Sequence, residues 1–112
     1  MQNKITGKGV VCAVLDTGIV THPDLAGRIV GWKDFVQGKE TMYDDNGHGT
    51  HVAGILAGNG RSGRGLYSGM APEAQIFAVK VLNQKGGGKI RDVINGIRYV
   101  LLKQKEMQIR IV

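Results

Sequence analysis

A single cysteine, two prolines and only six aromatic side chains (one Trp, three Tyr, two Phe) set the first limits on this 112-residue chain. Cys12 alone cannot close an internal disulfide. It sits in an apolar run, where a thiol serves as a small buried hydrophobe rather than a redox group. The redox compartment therefore stays open. No stretch approaches the ~18 consecutive apolar residues of a membrane-spanning helix, which argues against a membrane role. Residues 1–7 lack the apolar run of a signal peptide. Serine is scarce too: Ser62 and Ser68 both lie in a polar, glycine-rich segment. The net charge of +6 is uneven, with five basic and six acidic residues in 1–56 but ten and three in 57–112. So few aromatics among the basic residues argue against a base-stacking surface, hence against nucleic acid as a partner. Lys89, Arg91, Arg98, Lys103 and Lys105 instead read as the solvated face of a helix.

Glycine is abundant, at 18 residues against a typical share of about 7%. It has no repeating period, and it clusters in 46–69 and 86–88, as tight turns and close backbone approaches require. Between these clusters the apolar residues are ordered. Val10 to Leu15 form a continuous apolar run, the pattern of a strand covered on both faces. Arg28 to Phe35 reads as a second strand, 37–47 as a loop, and Gly49 to Ala57 as a helix of small and branched residues. A loop over 59–69 precedes another buried strand, Ala74 to Leu82. Ile90, Val93, Ile94, Ile97, Val100 and Leu101 fall at helical spacing. A last strand begins at Ile109. Strands alternating with helices predict a parallel α/β sheet, whose ligands bind outside the carboxyl ends of the strands.

Asp16 stands at such an end, directly behind six apolar residues. It suits either a turn cap or a carboxylate that orients a histidine. His48 follows Asp44-Asp45-Asn46-Gly47 at a helix start. Asp45 or Asn46 is expected to cap that helix and the acidic pair to favour its dipole. With Asp16 on one nitrogen, His48 has the make-up of a general base. His51, three residues on, also admits a metal-dependent hydrolase built on His48, His51 and Asp16. That pattern lacks the Glu of the H-E-x-x-H metalloprotease helix.

Five segments taken together resemble the subtilisin-like serine proteases, or subtilases. They are Ala13-Val14-Leu15-Asp16-Thr17-Gly18-Ile19, His22-Pro23-Asp24-Leu25, Asn46 to Gly54, Gly69-Met70-Ala71-Pro72-Glu73-Ala74 and Val79-Lys80-Val81-Leu82. The resemblance spans about residues 8–102, and treats 1–112 as the N-terminal portion of the catalytic domain. It implies a three-layer α/β fold with a mostly parallel sheet, incomplete without a C-terminal part. It implies peptide-bond hydrolysis by an Asp-His-Ser mechanism, with Asp16 and His48 as the acid and the general base. Leu82, Gly86, Gly87, Gly88 and Ile90 (with Lys89) would line the edge that pairs with a polypeptide substrate. Asp24 matches a position that ligates a structural calcium ion, with further ligands from 59–69. No cofactor is required for the chemistry.

The matching segments include neither the oxyanion-hole Asn nor the Gly-Thr-Ser-Met-Ala segment of the nucleophile. The chain alone is therefore expected to be inert, its partners being the rest of the catalytic domain and a pro-segment. Two rivals stand beside this reading. One is a non-catalytic module that binds peptides or forms a homodimer through the sheet edge at Ile109 and Ile111. The other is the metal-dependent hydrolase. Family habit points to secretion, while the lack of a leader leaves the cytoplasm open.

Overall fold

A computed structural model describes residues 6–60 and 69–111, with backbone alone at 110 and 111. Four strands, β1 (Val11–Asp16), β2 (Ile29–Asp34), β3 (Gln75–Lys80) and β4 (Ile109–Ile111), form one sheet in the order β2-β3-β1-β4. Every pairing is parallel. A 3-10 turn, Pro23–Leu25, precedes β2, and two helices, α1 (His48–Ala57) and α2 (Ile90–Met107), follow β2 and β3.

The continuous apolar runs are explained by burial on both faces. Val11 and Ala13 of β1 join Phe77 and Val79 of β3, together with Val81, in a core that includes Val100 of α2 and Ile109. The alternate positions Ile76 and Ala78 join a second core with Ile19, Leu25, and Ala53 and Ala57 of α1. Successive side chains point to opposite faces of a strand, so α1 and α2 cover opposite faces and the architecture is three-layered. Cys12, 5% exposed, is buried in β1, and burial pushes its thiol pKa up, as fits a packing residue.

The helical spacing in 90–101 marks a real helix, but the face turned to the sheet differs from the apolar stripe. Gly96 and Val100 are the buried residues of α2, and Val93, Tyr99 and Met107 pack beside them. Ile90, Ile94, Ile97 and Leu101 remain exposed. The contact line runs through Gly96, where an added Cβ would stand 2.5 Å from Val81 Cγ1. Hydrophobic periodicity gives a glycine no weight, so it cannot locate a contact that depends on having no side chain. Among the described residues no helix is long and apolar enough to cross a membrane. β4 lies at one edge of the sheet and β2 at the other.

Candidate active site

β1 ends at Asp16 and α1 begins at His48, and the two side chains meet with His48 Nδ1 2.8 Å from Asp16 Oδ1. The Asp16 side chain is 13% exposed and that of His48 62% exposed. The same Asp16 oxygen accepts the Thr17 backbone N–H at 2.7 Å. Its backbone carbonyl accepts the amides of Val81 and Leu82 at 3.0 and 3.2 Å. Asp16 is therefore held at its side chain and at its backbone where it meets the imidazole.

The meeting depends on two glycines 31 positions apart in the chain. Gly18 has φ +129°, and a Cβ there would stand 2.0 Å from the Tyr43 carbonyl oxygen. A Cβ on Gly49 would stand 2.3 Å from the Gly18 carbonyl oxygen. Only with both side chains absent does the end of β1 lie against the first turn of α1. Thr17 Oγ1 then accepts the Gly49 amide at 2.8 Å.

Asp44 fastens this junction. Its Oδ1 accepts from the Thr17 hydroxyl at 2.8 Å and from the Asn46 and Gly47 amides at 3.1 and 2.7 Å. Its Oδ2 accepts from the amide and hydroxyl of Thr50 at 2.8 and 2.7 Å. Burial opposes ionisation of Asp44, but these bonds, the Thr50 hydroxyl foremost, outweigh it and hold the carboxyl well below the usual range. This corrects the expected cap. Asp45 takes no part in it, and Asn46 contributes only Oδ1, which accepts the His48 amide at 3.0 Å. The N-cap residue itself is Gly47, with no side-chain bond. Asp45 turns instead to Lys80.

Lys80 is the residue that sequence patterning missed. It ends β3 in register with Asp16 of β1 and Asp34 of β2, and it is fully buried. Its Nζ donates to Asp45 Oδ1 at 2.8 Å, to the Thr17 carbonyl at 2.6 Å and to the Leu82 carbonyl at 2.8 Å. The Tyr43 ring lies 5.0 Å from the ammonium. Lys80 stands inside the apolar run Ala74 to Leu82 with no local signal of its own, and nothing in the sequence shows that three acceptors converge there.

Of the other expected residues, Leu82 is half-buried against the α2-side core, and Gly86, Gly87, Gly88 and Ile90 are exposed. Asn83 folds their loop, accepting the Lys85 and Gly87 amides on its side chain. Asn46 Nδ2 donates to the Gln84 carbonyl at 2.9 Å, so the start of α1 and this loop are joined. Beside them Val36, Gln37, Asp45, Asn83, Gln84 and Lys85 line an open cleft of about 350 Å³. Asp24 sits in the 3-10 turn, its carbonyl accepting the amide of Asn59 just past the C-terminus of α1. That is the end of α1 remote from His48. Much of the loop expected to complete a calcium site, with Ser62 and Ser68, lies in 61–68, outside the described residues. His51 is exposed. Among the described residues no three His, Cys, Asp or Glu side chains stand close enough to hold a metal ion.

A carboxylate oxygen that accepts the Nδ1–H of an imidazole leaves Nε2 as the basic nitrogen. The Asp16 hydrogen bond and charge, helped by Asp44, raise the His48 pKa above its ordinary value. That arrangement is an exposed proton acceptor, oriented from behind by an acid. The family model described as the subtilase family matches residues 7–112. The chain belongs to the subtilase family. The serine protease AprX of Bacillus subtilis (strain 168) is 55% identical over 97 residues, covering 87% of this chain and 22% of that protein. Thermitase of Thermoactinomyces vulgaris is 48% identical over 94 residues, 83% of this chain and 33% of its own. The solved structure of sphericase superposes with a TM-score of 0.78 at 36% identity, covering 96% of this chain and 36% of that one. This subtilase chain thus spans between about a fifth and just over a third of the length of these relatives. Its parallel three-layer fold superposes on the corresponding part of sphericase.

Proposed function

We propose that this chain supplies the orienting aspartate and the general base of a serine endopeptidase of the subtilisin type. The observation that carries the reading is the 2.8 Å contact between His48 Nδ1 and Asp16 Oδ1 at the carboxyl end of β1. In the proposed reaction a serine hydroxyl attacks a peptide carbonyl and His48 Nε2 takes its proton. His48 returns that proton to the leaving amine. It then takes a proton from a water that attacks the acyl-serine and gives it back to the serine oxygen as the acid product leaves. Asp16 meanwhile fixes the tautomer and stabilises the imidazolium. The serine and the oxyanion donors come from the part of the relatives that these 112 residues do not span. The substrate is a polypeptide. Its extended backbone pairs with the edge at Gly86, Gly87 and Gly88, beside Leu82 and Ile90, since glycines leave room for a strand to add.

Three groups that act as a unit lose nearly all activity when one is missing, so the 112-residue chain alone is inert. Purified, it should cleave casein no faster than buffer, and cleavage that His48→Ala abolishes would overturn this. Joined to the remaining catalytic domain it should cleave casein, and His48→Ala should lower that rate by about a thousandfold or more. An unchanged rate in the joined His48→Ala protein would refute the role given to His48.

A further inference from the structure

The Lys80 ammonium has three protons and three acceptors, each from a segment that carries part of the site. The Thr17 carbonyl follows Asp16, Asp45 precedes His48 by three residues, and the Leu82 carbonyl belongs to the proposed substrate edge. All three bonds are 2.8 Å or shorter, and the side chain is fully buried. An ammonium withdrawn from water persists only where every donor is matched. Here it is matched by groups that are 63, 35 and 2 residues away in sequence.

We propose that Lys80 is a positioning residue: by bridging Thr17, Asp45 and Leu82 it sets the distance at which Asp16 meets His48 and places both against the substrate edge. The inference rests on Asp16 and His48 being the working aspartate and general base. Lys80 touches neither one directly. Its action runs through the backbone that follows Asp16, at the Thr17 carbonyl and beside the Asp16 carbonyl, which is held by the Val81 and Leu82 amides. Asp45 carries the effect to the loop that leads into α1. The shape of the ammonium matters as well as its charge. A planar guanidinium cannot place three donors on acceptors arranged around one nitrogen.

The test exploits two effects of opposite sign. Removing a buried cation near an imidazole favours its protonation, and so raises the His48 pKa. Freeing the Asp45 carboxylate pushes in the same direction. A slackened Asp16–His48 bond lowers it. The titration midpoint of His48 is read by NMR in the 112-residue chain, with His22 and His51 assigned through their Gln variants. In Lys80→Met, still folded by circular dichroism, a fall of about half a pH unit or more is expected. Lys80→Gln, which keeps a donor, should fall less. A midpoint that stays or rises in a folded variant overturns the proposal. So does failure of both variants to fold, which would make Lys80 a requirement of folding and not a setting of the pair. Because this readout involves neither serine nor substrate, it can fail while casein cleavage succeeds, and the reverse.

Discussion

The Asp44 carboxylate accepts the Thr17 hydroxyl at 2.8 Å, and so ties the residue after the acid to the loop before the base. The same carboxylate receives four further donors from Asn46, Gly47 and Thr50. Asp44→Ala leaves these donors without their acceptor in a partly buried place. A loss of about 3 kcal/mol in urea unfolding is expected, since bonds to a charged group contribute about 1.5–3 kcal/mol each but not additively. A loss below about 1 kcal/mol would show that water replaces the carboxylate freely.

Acid titration should report the same carboxylate. The folded-state pKa values of Asp44 and Asp34 are both depressed. For Asp34, burial works against this, but the Tyr43 hydroxyl and the Val36, Gln37 and Lys39 amides prevail. A depressed folded pKa gives stability that is complete above the unfolded value of about 3.9 and is lost as pH falls through the folded one. The urea midpoint should therefore hold down to about pH 4 and fall below it. Asp44→Asn should flatten that fall.

His48 has the opposite sign. Its folded pKa is raised, so its contribution to stability is complete below the unfolded value of about 6.5 and is lost as pH rises through the folded one. Asp16→Asn should bring the NMR midpoint of His48 down toward that value. The variant should also differ from the parent in stability more at pH 5 than at pH 9. An unchanged midpoint would mean that the 2.8 Å contact is not maintained in solution.

Gly18→Ala and Gly49→Ala each put a methyl group against backbone, which cannot yield as a flexible side chain does. Each should cost about 2 kcal/mol or more, and Gly18→Ala also forces a side chain onto a left-handed backbone angle. In whatever fraction stays folded, the His48 midpoint should drop as the junction opens. Equal stability to the parent would show that β1 and α1 are not in close contact.

The two faces of α2 separate by mutation. Val100→Ala should cost about 2 kcal/mol through lost burial and the cavity left behind. Ile97→Lys, on the exposed face, should stay within about 0.5 kcal/mol of the parent. The reverse order would mean that α2 packs through its apolar stripe.

The strands and both helices were legible in the chain because their signals are local. A run such as Val10 to Leu15 has one reading, and the helix expected over Gly49 to Ala57 differs from α1 only at its first residue. Asp16 and His48 were legible because their flanking residues are distinctive, though their contact crosses 32 residues. Lys80 was not legible, since its burial is created by groups that arrive from Thr17 and Asp45 only after the sheet has formed. In the sequence Asp44 reads as part of an acidic pair at a helix start, yet the two carboxylates part company. One tightens the junction and the other neutralises an ammonium, a choice made by which strand ends lie nearby.

The buried ammonium also bears on how the sheet reaches its alignment. Apolar residues such as Val79 and Val81 would tolerate a neighbouring alignment with modest loss, because any hydrocarbon surface accepts them. Lys80 does not. If β3 slid by one residue against β1, every side chain on it would change face. The ammonium would then leave Thr17 and Asp45 for the hydrocarbon layer beneath α2, at a cost of several kcal/mol. A single charge thus proofreads the parallel pairing and discards the near-miss sheets that greasy strands alone would let stand.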